Sequence, residues 1–124
     1  MATILLAEDD ADIRFLVTFK LERAGHRVRG FGDGLSALAD AKEHLPDLAI
    51  LDVMMPGMSG LDVCRQLRAD LATAAVPVIF LSACAEKADI AAGFAAGADD
   101  YIIKPFSPRD LATRVTALLT RVRA

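Results

Sequence analysis

Three acidic residues, a serine and a lysine stand where short apolar runs of the sequence end. Glu8 and Asp9 follow the first run, and Asp52 follows the third. Ser82 ends the fourth run, and Lys104 follows the last. Three carboxylates brought together repel one another, so each needs a nearby cation or a bound proton. Ligand sets made only of oxygen suit hard cations such as Mg²⁺, which takes one or two carboxylates with water and phosphate oxygens.

These residue types together predict phosphoryl transfer onto an aspartate. An ionised carboxylate can act as a nucleophile toward phosphorus and form an acyl phosphate, and Asp52 needs no general base for this step. Lys104 would supply a second cation and Ser82 a hydrogen-bond donor for the phosphoryl oxygens. The backbone carbonyl of Met54, two residues after Asp52, could complete the ligand shell of Mg²⁺ or Mn²⁺.

The elements that must position these residues alternate along the chain. Strand-like segments cover residues 4–7, 26–31, 47–53, 76–81 and 101–103. Apolar residues between them recur at helical spacing, in four stripes: Ile13, Leu16, Val17, Leu21 and Ala24; Leu35, Leu38 and Leu45; Val63, Cys64 and Leu67; Leu111, Val115, Leu118, Leu119 and Val122. A further helix is predicted over residues 86–96. Five such β–α units predict a parallel sheet covered by helices on both faces, with its ligand site at the carboxyl ends of the strands.

Polar residues at segment ends predict where the helices begin, and composition predicts the places of two strands in the sheet. Ser59, and Ser107 before a proline, are predicted helix caps, and Asp10 is a better cap than metal ligand. Residues 26–31 carry charge at alternate positions, which indicates a strand with one solvent-exposed face or a strand at the sheet edge. Residues 76–81 are the most uniformly apolar run, so we expect that strand to be central.

Length and composition exclude several other classes of protein. The chain of 124 residues suits one domain, predicted here over residues 1–124. Its net charge of −3 and pI of about 5.3 argue against direct nucleic-acid binding. No signal peptide and no apolar stretch of about 20 residues is present, so we expect no membrane contact and a cytoplasmic location. Cys64 and Cys84 are expected to be reduced thiols.

Four segments carry a resemblance that covers the whole chain. They read ILLAEDD, PDLAILDVMMPGMSG, VIFLSA and GADDYIIKPFSP. In this order and at these spacings the chain resembles the receiver domain of two-component response regulators. The resemblance implies a flavodoxin-like, doubly wound α/β fold, with a five-stranded parallel sheet of order 2-1-3-4-5 and five flanking helices. It also implies a phosphorylation-dependent switch that receives its phosphoryl group from a histidine kinase or phosphotransfer protein, and that is not a turnover enzyme.

The resemblance assigns a role to each residue of the predicted site. Asp52 becomes the phosphoacceptor, Asp9 the direct metal ligand, Glu8 the outer acidic partner and Met54 a ligand through its carbonyl. The remaining assignments make Ser82 and Tyr101 a switch pair, Lys104 the cation on the phosphate, and Pro105 the residue after a cis peptide. From the sequence alone, without the resemblance, Tyr101 would be predicted to be an aromatic residue of an edge strand whose hydroxyl faces water.

The last helix–strand–helix face resembles that of the winged-helix class of response regulators, which dimerise there on phosphorylation. Asp100, Asp110 and Arg114 match charges of that dimer contact, but Ile90 stands where the class has a basic residue. A small apolar patch is formed by Ala91, Phe94 and Ala112. The chain is either a stand-alone receiver or the input half of a longer regulator.

Three other functions compete with this prediction. A phosphatase-like enzyme with an aspartate nucleophile would want a second acid–base aspartate where this chain has Met54. A flavin module would need a hydroxyl-rich phosphate loop in place of the acidic residues after the first strand. A degenerate receiver would act only as a protein-binding scaffold, but it would not be expected to keep the complete set of acceptor-site residues.

Overall fold

The sheet has the predicted strand order. The computed structural model describes residues 1–123, with side chains as far as Arg121. All strand pairs are parallel, in the order β2-β1-β3-β4-β5. The strands are β1 Thr3–Ala7, β2 Arg27–Phe31, β3 Leu48–Leu51, β4 Val78–Ser82 and β5 Asp100–Ile103. The α/β prediction with order 2-1-3-4-5 is therefore confirmed, including β2 as an edge strand.

Five helices alternate with the strands within residues 1–123. They are α1 Ala11–Arg23, α2 Gly34–Glu43, α3 Gly60–Ala69, α4 Lys87–Ala95 and α5 Pro108–Arg123. Asp10, Ser59 and Ser107 act as the predicted caps, since each accepts a hydrogen bond from a backbone N–H two or three residues later. None of these helices combines the length and apolarity that a bilayer crossing requires.

Two apolar cores lie on opposite faces of the sheet, because side chains of a strand alternate between its faces. Ala49 and Leu51 of β3 face α2, α3 and α4, whereas Leu48 and Ile50 face α1 and α5. A sheet buried on both faces needs continuous apolar strands. The run of residues 48–51 meets this requirement, since all four are buried.

The predicted helical stripes are right for α3 and partly wrong for α1 and α2. Leu16 and Ala24 are exposed, because α1 contacts the sheet through a narrow stripe with Val17 and Leu21 at its centre. Leu35 is exposed on α2, which packs through its small residues and Leu38. The third predicted member, Leu45, lies beyond the end of α2, and the Val122 side chain lies outside the described part of the chain.

The uniformly apolar strand is interior but not the middle one. All residues of β4 are buried, and the strand pairs with β3 on one side and β5 on the other. The middle position belongs to β3, whose flanks are β1 and β4. The strand begins at Val78, later than predicted; the preceding Pro77 has no N–H to donate to a ladder.

Candidate functional site

Three carboxylates meet at the carboxyl edge of the sheet because β1 and β3 are neighbours. Asp52 continues the β1–β3 ladder, its N–H donating to the Ala7 carbonyl at 2.9 Å. One oxygen of each of Glu8, Asp9 and Asp52 lies within 4.8 Å of the others. Glu8 is 1% exposed and Asp52 is 5% exposed, whereas Asp9 is open to solvent. The three acidic residues predicted as metal ligands are thus brought together.

Lys104 enters the same crevice from the end of β5. Its Nζ lies 2.6 Å from Glu8 Oε1 and 3.0 Å from Asp52 Oδ2. The angles to Glu8 do not suit a hydrogen bond, so Oε1 is buried with an ionic contact but no hydrogen-bond partner among the described residues. The backbone N–H of Lys104 donates to the Ser82 carbonyl at 2.8 Å, which fixes the loop to β4. The Lys104–Pro105 peptide is cis, as the resemblance implied.

The electrostatics of this cluster show an excess of negative charge. Burial raises the pKa of the Glu8 carboxyl to about 7, and Asp52 adds to the rise. Lys104 and the N–H of Asp10 oppose it. Burial by itself would lower the pKa of Lys104, but Glu8 and Asp52 outweigh burial and the pKa is raised. One ammonium group therefore serves two carboxylates.

The donor set suits a hard divalent cation. It consists of carboxylate oxygens alone, and one of them is buried without a hydrogen bond. The Met54 peptide lies beside the Asp52 carboxylate, since the Met54 N–H donates to Asp52 Oδ1 at 3.1 Å. Asp10 is turned away as a helix cap, which agrees with its exclusion as a ligand. The acidic cluster could therefore bind a metal ion.

A hydroxyl and an aromatic ring are linked through one loop residue. Ser82 is fully buried, and its Oγ accepts from the Cys84 N–H at 3.1 Å. The Tyr101 hydroxyl donates to the Cys84 carbonyl at 2.7 Å. The Tyr101 ring is 8% exposed, and this burial raises the pKa of its hydroxyl. The alternative of a hydroxyl facing water is therefore wrong for the described structure.

Two residues that sequence reasoning missed help to position the acidic groups. Arg14 donates from its guanidinium to the Glu8 carbonyl at 2.5 Å. Gly60 donates from its N–H to the Val53 carbonyl, and a Cβ at Gly60 would collide with the backbone carbonyl of Asp52. A glycine at the first position of a helix was a usable signal for close backbone approach. Arg14 offered no signal, because nothing in its spacing distinguishes it from a solvated arginine.

The residues predicted for a dimer contact share one surface, but their charges pair within the chain. Arg114 lies 3.0 Å from Asp100 and 3.1 Å from Asp110. Ala91 and Phe94 of α4 are exposed, and Ala112 of α5 is half-buried. The face therefore presents a small apolar patch beside a cluster of three charged side chains that pair with one another within the chain.

Comparison with known proteins decides the family. A family model described as the response regulator receiver domain matches residues 4–116. The chain belongs to the response regulator receiver domain family. It is a receiver domain of two-component systems, in which a phosphorylation-dependent switch carries the signal. The phosphatase-like and scaffold alternatives are not favoured.

Relatives of this receiver domain include longer regulators. The DNA-binding response regulator MtrA of Mycolicibacterium paratuberculosis is 46% identical over 118 residues, which are 95% of this chain and 51% of that protein. The transcriptional regulatory protein ResD of Bacillus subtilis is 48% identical over 95% of this chain and 48% of its own length. The chain thus spans about half the length of these relatives. A response regulator structure from Chloroflexus aurantiacus superposes with a TM-score of 0.92 at 36% identity, covering 96% of this chain and 98% of that one.

Proposed function

We propose that Asp52 accepts the phosphoryl group, which a phosphohistidine of a histidine kinase or phosphotransfer protein donates. The observation that carries the proposal is the buried Asp52 carboxylate, with Lys104 Nζ at 3.0 Å and two further carboxylates within 4.8 Å. A buried carboxylate with an ammonium group and further metal-binding carboxylates beside it has the partners that cation-assisted phosphoryl transfer needs. Glu8, Asp9, Asp52 and the Met54 carbonyl would hold Mg²⁺ or Mn²⁺, with Asp9 the direct ligand and Glu8 the outer one.

The transfer is a displacement at phosphorus. An oxygen of the ionised Asp52 carboxylate forms the new O–P bond while the N–P bond of phosphohistidine breaks, and the imidazole nitrogen keeps the electron pair. When bound, the divalent ion neutralises charge on the phosphoryl oxygens and on the carboxylates. Lys104 stays near Asp52 throughout and offsets the charge of the arriving dianion. The loop held by Gly60 keeps the Asp52 carboxylate at the sheet edge.

Ser82 and Tyr101 form the switch pair that reports the new charge. The Ser82 hydroxyl can donate to a phosphoryl oxygen while its Oγ still accepts from the Cys84 N–H. The Cys84 carbonyl holds the Tyr101 hydroxyl, so a shift of this loop changes where the ring packs. The phosphoryl group biases an equilibrium through its contacts and creates no new state.

The domain acts as a switch and not as a turnover enzyme. Met54 lies two residues after Asp52, and its thioether can neither give nor accept a proton in hydrolysis of the acyl phosphate. The acyl phosphate therefore persists while the output surface is in use. Residues 1–124 would work as one receiver domain in the cytoplasm, without touching nucleic acid directly. Its output partner is either another protein or, since the relatives named above are about twice as long as this chain, a second domain of the same polypeptide.

Mass spectrometry of the intact protein tests the acceptor assignment. Acetyl phosphate with Mg²⁺ should add one phosphoryl group to the wild type and none to Asp52→Asn, which keeps the side-chain shape but removes the nucleophile. Asp62→Asn, on the exposed face of α3, is the matched control and should be labelled like the wild type. An unlabelled wild type, or equal labelling of Asp52→Asn, would overturn the proposal.

The α4–β5–α5 surface would form a homodimer when Asp52 is phosphorylated. Its apolar patch comprises Ala91, Phe94 and Ala112, and Asp100, Asp110 and Arg114 could exchange their internal ion pairs for pairs across a two-fold axis. Light scattering with beryllofluoride and Mg²⁺ should show a doubled mass for the wild type. Phe94→Asp should stay monomeric, while Phe15→Asp on exposed α1 should still dimerise. A wild type that stays monomeric removes this part of the proposal.

A further inference from the structure

We infer that Gly93 is the positioning residue of the switch, because the missing side chain at this position admits the Tyr101 ring beneath α4. The inference rests on the proposed function, in which Tyr101 reports the phosphoryl group on Asp52. It adds a residue outside the acceptor site that determines whether the ring can occupy its inward position.

The packing leaves no room for a larger residue at this position. Gly93 is the buried residue in the middle of α4. A Cβ built there would lie 2.9 Å from two atoms of the Tyr101 ring and 3.2 Å from the Phe80 ring. Real Cβ atoms do not approach ring carbons to 2.9 Å, so one of the two groups would have to move.

The Tyr101 ring cannot yield sideways to accommodate such a Cβ. Phe80 and Tyr101 are register partners on the adjacent strands β4 and β5, with ring centroids 6.0 Å apart. Phe80 is fully buried, so it blocks the side of Tyr101 that faces the core. The exit that remains is outward, past the edge strand β5.

The local sequence of α4 supports a specific need for glycine. Glycine is among the poorest helix formers and alanine is the best. The other small positions of α4 are all alanine: Ala88, Ala91, Ala92 and Ala95. A glycine in this alanine-rich helix, at a position where a methyl group would meet the ring, indicates that the space itself is required.

The ring position is coupled to the acceptor site through two hydrogen bonds. The Tyr101 hydroxyl donates to the Cys84 carbonyl at 2.7 Å, and the Cys84 N–H donates to Ser82 Oγ at 3.1 Å. A ring displaced outward would lose its bond to this loop. Ser82 would then be held differently, so ring position and phosphoryl binding must influence each other's free energy by linkage.

The chain carries its own reporter for this experiment. Tyr101 is the only tyrosine and there is no tryptophan, so the intrinsic fluorescence comes from this ring apart from weak phenylalanine emission. Acrylamide should quench the wild type poorly and Gly93→Ala much more, approaching free tyrosine. Ala95→Ser, which adds one atom at an exposed position of α4, should be quenched like the wild type. Equal quenching of Gly93→Ala and the wild type would overturn the inference.

A double variant shows whether the effect acts through Tyr101. Gly93→Ala should lower the melting temperature in the wild type but raise it in a Tyr101→Ala background, where the helix preference of alanine remains, the clash with the Tyr101 ring is gone and the Phe80 ring has room to shift. By calorimetry, Gly93→Ala should weaken beryllofluoride binding by roughly fivefold or more. The same change should have no effect on beryllofluoride binding in the Tyr101→Ala background. Loss of folding in both backgrounds would overturn the inference, whereas loss in the wild-type background alone would support it.

The two proposals fail in different ways. A wild type that takes no phosphoryl group on Asp52 refutes the proposed function, whatever the quenching shows. A wild type that takes the phosphoryl group, with a Tyr101 ring equally protected in Gly93→Ala, refutes the role of Gly93 and leaves the acceptor assignment standing.

Discussion

The proposed acceptor site contains more carboxylates than cations. Glu8, Asp9 and Asp52 bring three carboxylates within 4.8 Å, and Lys104 is the cation that contacts two of them. A buried charge with too few partners costs free energy in the folded state. The same shortage of positive charge would favour the binding of a divalent ion, and under the proposed function it places Lys104 beside the arriving phosphoryl group.

Removing that ammonium group should slow phosphorylation without preventing metal binding. We expect Lys104→Met to reduce the rate of Asp52 labelling by acetyl phosphate by roughly 10²-fold at saturating Mg²⁺, the size of effect seen when one preorganised electrostatic partner of a transition state is lost. Lys87→Met makes the same change on the exposed surface of α4 and should leave the rate unaltered. Equal rates in all three proteins would show that Lys104 has no part in the transfer.

The stability of the metal-free protein should depend on pH through Glu8. Its folded-state pKa of about 7 lies above the ordinary value of 4.5, so the protonated form is favoured by folding. The resulting stability is fully present below pH 4.5 and is lost as the pH rises through 7. In EDTA, Glu8→Gln should therefore gain on the order of 2 kcal/mol relative to wild type between pH 5 and pH 8. Urea unfolding at both pH values measures this; parallel stability curves would contradict it.

The sequence predicts which residues reach the site but not how they contact one another. A charged residue directly after an apolar strand must lie at the sheet edge, so Asp9, Asp52 and Lys104 could be found from position alone. The link from Ser82 to Tyr101 through both peptide groups of Cys84 depends on loop geometry that composition does not encode. The same holds for Arg14, whose bond to the Glu8 carbonyl joins an ordinary helix surface to the site.

Among the elements, the far end of α4 is fixed to α3 by one side chain. Arg68 donates to the carbonyls of Gly97, Ala74 and Val76 and to the carboxylate of Asp99. These acceptors lie in the α3–β4 and α4–β5 loops, so a single guanidinium group joins the two loops to α3. The end of α4 that leads to β5 is therefore anchored, whereas the other end follows the loop after Ser82, a residue of the proposed switch.

Loss of this guanidinium group should destabilise the domain as a whole. Arg68→Ala leaves several carbonyls without their donor, and we expect a fall of roughly 2 kcal/mol in the free energy of unfolding. Arg65→Ala, one turn earlier on α3, removes an exposed ion pair with Asp62 and should change stability by less than about 0.5 kcal/mol. Chemical denaturation of both variants tests this; an equally small effect at Arg68 would mean that water replaces its hydrogen bonds.

Element boundaries were more predictable than the faces that the helices bury. Caps such as Ser59 and stop residues such as Gly97 act locally, so the sequence alone indicates them. Which stripe of α1 is buried depends on how the helix lies across the sheet, and Leu16 falls outside the contact although its spacing is helical. The apolar content of α2 misled in the same way, because small side chains such as Ala37 and Ala41 allow close packing.

At the scale of the whole molecule, one strand joins the two cores to the site. β3 lies in the middle of the sheet, contributes side chains to the apolar core on each face and ends directly before Asp52. A change in the charge at Asp52 therefore acts directly on the most deeply buried strand of the fold. Binding at the site and stability of the fold should be linked for this reason.

Magnesium should stabilise the entire domain against unfolding, since the unfolded chain does not hold the carboxylates together. At a Mg²⁺ concentration 100 times the dissociation constant, the expected gain is about 2.7 kcal/mol. Asp9→Asn removes one ligand and one repelling charge, so it should be more stable than the wild type in EDTA and gain much less from Mg²⁺. Asp62→Asn removes an exposed carboxylate on α3, and this variant should gain as much stability from Mg²⁺ as the wild type. Thermal unfolding with and without Mg²⁺ gives all three comparisons, and a full gain in Asp9→Asn would place the ion elsewhere on the molecule.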